Sequence, residues 1–135
     1  MSALYKGMRW LKCDLQMQTP ADARHWQGDR LEAGQEASAA TAFAEACYHA
    51  GLDIVGITDH NFLSKEFIPH LQSAFEELER EHNHSVSLFP GFEFEAAGVG
   101  RGVHILCLFE PGADLAQLDA ILTECGVAYP RVGAD

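Results

Sequence analysis

Polar and apolar residues alternate near the start of the chain, between Arg9 and Gln18. The apolar side chains fall on one face of this segment, and the polar side chains of Asp14, Gln16 and Gln18 fall on the other. A side-chain period of two predicts a β-strand with one polar face. The residues from Thr19 to Gln35 are mostly polar and contain proline and glycine, which predicts a long loop over the strand ends.

Apolar residues recur at helical spacing in three later segments. The first helix is predicted to run from about Ala39 to Ala50, with Gly51 as its left-handed terminator. The second is predicted from roughly Pro69 to Glu81, and the third lies between Asp114 and Gly126.

Short apolar runs of strand length separate these helices. They are Leu52 to Ile57, Val86 to Phe89, Phe92 to Glu95, and Val103 to Phe109. Strands that alternate with helices predict an α/β fold with parallel strands. The length of 135 residues and the hydrophobic content of 47% fit one domain, residues 1–135, with a buried core.

Composition narrows the classes of partner. The formal net charge of −11 opposes a nucleic-acid backbone unless metal ions or a larger assembly reverse the potential locally. The four cysteines form no Cys-x-x-Cys pair, which is typical of reduced thiols in a cytoplasmic protein. No apolar run is long enough to cross a membrane, and the first residues do not form a signal peptide.

Several residues with catalytic or metal-binding chemistry follow predicted strands. Gln16 and Gln18 end the first strand, His60 follows the second beside Asp59, and Glu93 lies in the third segment. The carboxyl ends of the strands are where active sites gather in β/α barrels. His104 differs because it begins its strand, which implies either an antiparallel strand or a misplaced boundary.

Each of these residues also has a structural interpretation. His60 and His104 could be histidines whose hydrogen bonds are made with the protein chain, and Glu93 with Glu95 could form a solvated strand edge. A bridging metal ion would instead explain two carboxylates among apolar residues, since unpaired burial is costly. His49, His70, His82 and His84 are predicted to be surface histidines, and Trp10 and Trp26 packing residues.

The sequences Gln16-Met17-Gln18, Thr58-Asp59-His60, Gly91-Phe92-Glu93 and Val103-His104 occur in the order of the motifs of the PHP (polymerase and histidinol phosphatase) family. From Trp10 to about Phe109 the chain resembles that family, in which the first motif is His-x-His. The resemblance implies the N-terminal part of a distorted seven-stranded β/α barrel, related to the TIM barrel. It also implies hydrolysis of phosphate esters by a metal-activated water.

The same resemblance implies the metal ligands. By position they are Gln16, Gln18, Asp22 or His25, His60, Glu93 and His104. Apart from the resemblance, Asp59 directly before His60 could orient that ligand or bind a metal itself. The family binds up to three ions such as zinc, manganese or iron, and fewer are expected here. A glutamine offers only a neutral carbonyl oxygen, which suits manganese or magnesium better than zinc or iron.

Three functions are therefore weighed. The first is a PHP-type hydrolase of a phosphomonoester or phosphodiester. The second is a non-catalytic PHP module that serves as a scaffold or partner surface in a larger protein, such as one that handles nucleic acid. The third is a small acidic interaction protein.

About four strands and three helices amount to half of a barrel, and half a barrel exposes strand edges and apolar area. We therefore expect either self-association or a missing C-terminal region. The residues after Ala128 are predicted to link to a further element.

Overall fold

The computed structural model describes residues 7–97, 100 and 102–127, and these form a mixed α/β fold with three helices and two small sheets. The helices are α1 (Glu36–His49), α2 (Phe67–His82) and α3 (Leu115–Glu124), and the strands are β1 (Cys13–Met17), β2 (Ile54–Ile57), β3 (Asp59–His60), β4 (Ser87–Phe89), β5 (Gly91–Ala96) and β6 (Val103–Leu108). No closed barrel is formed by these described residues.

The two sheets continue into one another through the backbone. The first sheet is parallel and has the order β1-β2-β4, and the second has the order β3-β5-β6. Only Thr58 separates β2 from β3, and only Pro90 separates β4 from β5. Strand β3 is parallel to β5, so the direction of the first sheet is kept. The carboxyl ends of β3 and β5 therefore point to the same end of the second sheet.

Strand β6 runs antiparallel to β5. One of the two alternatives raised for His104 is thereby confirmed, because an antiparallel strand begins where its neighbour ends. His104 follows the first residue of β6, and it lies opposite Glu95 near the end of β5.

The core lies between the helices and the strands. Phe43 of α1 meets Phe67 of α2 edge-on, with ring centroids 6.5 Å apart. From β5, Phe92 is fully buried on the face that packs against this layer. Among the described residues, no helix has both the length and the apolar character needed to span a membrane.

The predicted elements all occur, with shifted ends. The first strand is shorter than predicted, and α2 extends beyond the predicted segment at both ends, so that Pro69 lies in its first turn, where proline is tolerated. The packing role predicted for Trp10 is wrong, because its side chain is 98% exposed, whereas Trp26 packs near Phe43. The linker predicted after Ala128 lies outside the described residues.

Candidate metal centre

His60, Glu93 and His104 come together near the carboxyl ends of β3 and β5. His60 is directly opposite Glu93 in the parallel pair of β3 and β5, and β6 brings His104 from the antiparallel side. One ligand atom from each residue lies within 4.8 Å of the other two. His60 and Glu93 are buried, while the side chain of His104 is about half exposed.

Glu93 is the centre of the hydrogen bonds in this cluster. Its Oε1 accepts from Nδ1 of His60 at 3.2 Å and from Nδ1 of His104 at 2.6 Å. Its Oε2 accepts from the amide nitrogen of Gln16 at 3.1 Å. Because a carboxylate can only accept, each facing nitrogen carries a hydrogen in this arrangement.

These contacts lower the pKa of Glu93 and raise the pKa of His104. Burial raises the pKa of the Glu93 carboxyl, but the hydrogen bonds from His104, His60 and Gln16 outweigh burial, so the pKa is lower than usual. The hydrogen bond to Glu93 raises the pKa of His104 above its ordinary value, against a smaller opposing effect of burial. Without a cation, the two residues therefore form an ion pair.

Asn61 fixes the orientation of the buried histidine. The Oδ1 atom of Asn61 accepts from the backbone N–H of Glu95 at 3.2 Å, so its amide nitrogen faces Nε2 of His60, 3.4 Å away. Its own N–H donates to the carbonyl of Glu93 at 2.6 Å. Asn61 adopts a left-handed φ of 50°, which asparagine tolerates better than most residues.

Asp22 and His25, the two candidates in the loop after β1, take different positions. Asp22 is fully buried, and its Oδ2 accepts from the backbone N–H of His60 at 3.1 Å. Its carboxylate also contacts Nδ1 of His25 at 3.0 Å, and the ring of His25 lies 4.5 Å from that of His60. Asp22 thus orients the imidazole of His25 and holds the backbone of His60, and His25 brings a third ring to the cluster.

Asp59 holds the loop after β1 against the sheet. Its two carboxylate oxygens accept from the backbone N–H of Thr19 at 2.6 Å and from the hydroxyl of Thr19 at 2.8 Å. Burial, partly offset by these hydrogen bonds, raises the pKa of Asp59 from 3.8 to about 6. Asp59 lies outside the cluster of three ligand candidates.

The two glutamines of the first motif are placed differently. Gln16 contacts Glu93, as described. Gln18 is half-buried and, like Gln16, borders an open groove of about 750 Å³ between β1 and α1, but the hydrogen bond to Glu93 comes from Gln16. The structure therefore places Gln16, but not Gln18, in contact with the cluster.

The donor set fits a divalent transition-metal ion. Two imidazoles and one carboxylate, with a position left open, are typical of catalytic zinc sites. Ligand atoms that share one such ion lie about 3.2–3.6 Å apart. The 3.2 Å between His60 and Glu93 matches this spacing, and the 2.6 Å between His104 and Glu93 would lengthen by less than about 1 Å.

Sequence reasoning missed Asn61 and Thr19. Asn61 directly follows Thr58-Asp59-His60, and asparagine at the end of a strand is a signal for the left-handed conformation. Thr19 carried no signal of its own, because its role depends on the position of Asp59 across the sheet. The predicted surface histidines, His49, His70, His82 and His84, are all exposed.

In comparisons with known proteins, the chain matches no protein-family model and no curated sequence.

Proposed function

We propose that this chain is a metal-dependent phosphoesterase of the PHP type. The observation that carries the proposal is the meeting of His60, Glu93 and His104, from three strands, with ligand atoms within 4.8 Å. Zinc, manganese and iron are the cations that this donor set favours. A bound cation supplies an activated water and neutralises the charge of a phosphate ester.

The residues of the chain hold and orient the site. Glu93 is ionised at neutral pH because its pKa is lowered, and it aligns both histidines. Asp22 holds the backbone N–H of His60, and the side-chain amide of Asn61 contacts Nε2 of its ring. Since the side chain of His104 is about half exposed, a phosphate ester can approach from solvent. The order of helices and parallel strands supports, within this proposal, the N-terminal part of a distorted seven-stranded barrel.

A second candidate is the non-catalytic PHP module. It is favoured by the amide of Gln16, which donates to Glu93. Both oxygens of Glu93 have partners without any cation, so the cluster can be stable as a purely structural element. Such a module would serve as a partner surface in a larger protein, and its net charge of −11 would keep it from binding nucleic acid by itself.

The decisive experiment measures metal content and hydrolysis together. The protein, purified without chelator or affinity metal, is analysed by elemental mass spectrometry and assayed with p-nitrophenyl phosphate and bis-p-nitrophenyl phosphate. The hydrolase requires bound metal and turnover, both lost in His60→Asn and kept in His70→Asn, which changes an exposed histidine on α2. Metal without turnover supports the module, and a wild-type protein that binds no metal contradicts the phosphoesterase.

The cysteines bear on the location of the protein. Cys13, Cys47, Cys107 and Cys125 are all free thiols, as expected in a reducing compartment. We include a cytoplasmic location in the proposal on this basis.

A further inference from the structure

The orientation of the Gln16 amide is determined by its partner. The amide nitrogen lies 3.1 Å from Oε2 of Glu93. A carboxylate accepts hydrogen bonds and does not donate them, so the nitrogen must face it and the amide oxygen must point elsewhere. That oxygen is the only atom with which a glutamine binds a metal ion. In this arrangement Gln16 is a hydrogen-bond donor to a metal ligand.

The two carboxylate oxygens of Glu93 consequently have different partners. Oε1 faces Nδ1 of His60 and Nδ1 of His104, the two other residues whose ligand atoms lie within 4.8 Å of one another and of Glu93. Oε2 is held by Gln16. A cation held by this cluster would therefore have Oε1 of Glu93 available to it, while Oε2 would stay hydrogen-bonded to Gln16.

We propose that Gln16 determines the metal specificity of this site by confining Glu93 to ligation through Oε1. This inference rests on the proposed function, because it requires that the cluster binds a divalent cation. Two imidazole nitrogens and one carboxylate oxygen satisfy three of the four positions of zinc. Manganese takes more oxygen ligands and gains from a carboxylate that binds through both oxygens. Gln16 thus favours zinc over manganese.

The position of Gln16 suits such a role. It lies on β1, whereas the three ligand candidates lie on β3, β5 and β6, so it acts on Glu93 from a separate strand. Its side chain is on the exposed side of the site, and its substitution does not open a cavity in the core. Gln18, two residues further along, borders the groove beside α1 and provides a matched control.

The test compares Gln16→Met with Gln18→Met. Methionine keeps the length of the side chain and removes the donor, which frees Oε2 of Glu93. Because a thioether can itself bind zinc, Gln16→Ala, which adds no ligand, is measured alongside. Dissociation constants for Zn²⁺ and Mn²⁺ are measured by competition with a chromophoric chelator. Loss of a hydrogen bond to a metal ligand usually changes the affinity for a metal by about ten-fold or more. We therefore expect the preference for zinc over manganese to fall measurably in Gln16→Met and to stay unchanged in Gln18→Met.

Cobalt substitution gives a second readout that does not depend on activity. With Co²⁺, the wild-type protein should show the intense visible absorption of a four-coordinate ion, and Gln16→Met should show weaker bands from a higher coordination number. Gln16→Ala removes the same donor and replaces Gln16→Met if the latter does not fold.

The outcomes separate the two proposals. An unchanged zinc-to-manganese ratio with an unchanged cobalt spectrum in the Gln16 variants overturns the inference and leaves the metal site in place. An equal shift in Gln18→Met also overturns it, because the effect would not be specific to the contact with Glu93. A wild-type protein that binds neither zinc nor manganese overturns the proposed phosphoesterase itself, and the inference with it.

Discussion

His104 and Glu93 are diagonal neighbours across the antiparallel strands β5 and β6, and Nδ1 of His104 lies 2.6 Å from Oε1 of Glu93. His104 is opposite Glu95 in the ladder, so its ring reaches back along the sheet to the buried carboxylate. The contact joins the one exposed member of the cluster to its centre. The charge state of His104 therefore affects both the stability of the metal-free protein and the affinity of the cluster for a cation.

The first prediction concerns stability against pH in the metal-free protein. The raised pKa of His104 gives stabilisation that is complete below its ordinary value of 6.5 and is lost as pH rises through the raised value. The lowered pKa of Glu93 gives stabilisation that is present above 4.5 and is lost as pH falls through the lowered value. The ion pair of Glu93 and His104 should therefore add most to the stability of the fold between the lowered pKa of Glu93 and the raised pKa of His104.

Thermal unfolding of wild type and His104→Asn, with chelator present, measures this contribution. The difference in Tm should be largest in the window between the two pKa values and should shrink as pH rises above the raised pKa of His104, where the imidazole is neutral in both states. His70→Asn, an exposed change on α2, should show no such profile. A difference that grows with pH would contradict the ion pair.

The second prediction is that metal binding releases protons. The raised pKa of His104 keeps its imidazole protonated to higher pH, so a cation that binds its Nδ1 must displace a proton. The apparent affinity for Zn²⁺ should therefore rise with pH until His104 is deprotonated. Calorimetry in two buffers of different ionisation enthalpy counts the protons released below the raised pKa of His104, and a count that does not fall as pH rises through that pKa would contradict the prediction.

The sequence predicted the helices, the strands and the candidate ligands of the site better than it predicted the hydrogen bonds between the side chains of the site. Alternation and helical spacing predicted the three helices and the main strands, because burial on one face leaves a period in the sequence. His60, Glu93 and His104 could be grouped because each lies at the end of an apolar segment. The hydrogen bond of Gln16 to Glu93 spans 77 residues, and no local pattern records which atom of an amide faces a partner.

The third prediction concerns Asp59. Burial raises its pKa from 3.8 to about 6, so its contribution to stability is complete below pH 3.8 and is lost as pH rises through about 6. Asp59→Asn should therefore lose more stability relative to wild type at pH 4.5 than at pH 7.5. The difference between the two conditions should be at most about 3 kcal/mol.

Urea unfolding of wild type and Asp59→Asn at pH 4.5 and at pH 7.5 measures this difference in the free energy of unfolding. Asp29→Asn, a change in an exposed position of the same loop, is the control and should show little dependence on pH. An Asp59→Asn deficit that is larger at pH 7.5 would mean that the ionised carboxylate is favoured by Thr19 more than burial disfavours it.

The fourth prediction is that the described domain associates through its strand edges. Within the described residues, β1 pairs only with β2 and β6 only with β5. Leu15 on β1 and Ile105 on β6 are 43% and 40% exposed, so each edge carries apolar area. Unpaired edges with apolar side chains promote pairing between chains.

Light scattering across a range of protein concentrations tests this association. Leu15→Lys or Ile105→Lys should lower the average mass, because a lysine on an edge strand opposes edge-to-edge pairing. Glu124→Lys, an exposed change at the end of α3, should leave the mass as it is. A wild-type protein that stays a monomer at every concentration and unfolds cooperatively would contradict the prediction.

The last prediction concerns the first motif. Gln16 lies on β1 and touches Glu93, and Gln18 follows the strand directly after Met17. Imidazole nitrogens bind zinc, iron and manganese better than neutral amide oxygens. Gln16→His combined with Gln18→His should therefore increase the metal bound per chain, measured by elemental mass spectrometry after dialysis.

Asp14→His is the matched control, because it adds an imidazole to the same strand face two residues before Gln16. If the glutamines replaced lost ligands, metal content and phosphodiesterase activity should rise together in the double variant. If instead the Gln16 amide tunes a working site, metal content should rise while activity falls, because Oε2 of Glu93 loses its donor. Unchanged metal content would show that neither glutamine faces a metal site, and the functional argument would then rest on His60, Glu93 and His104 alone.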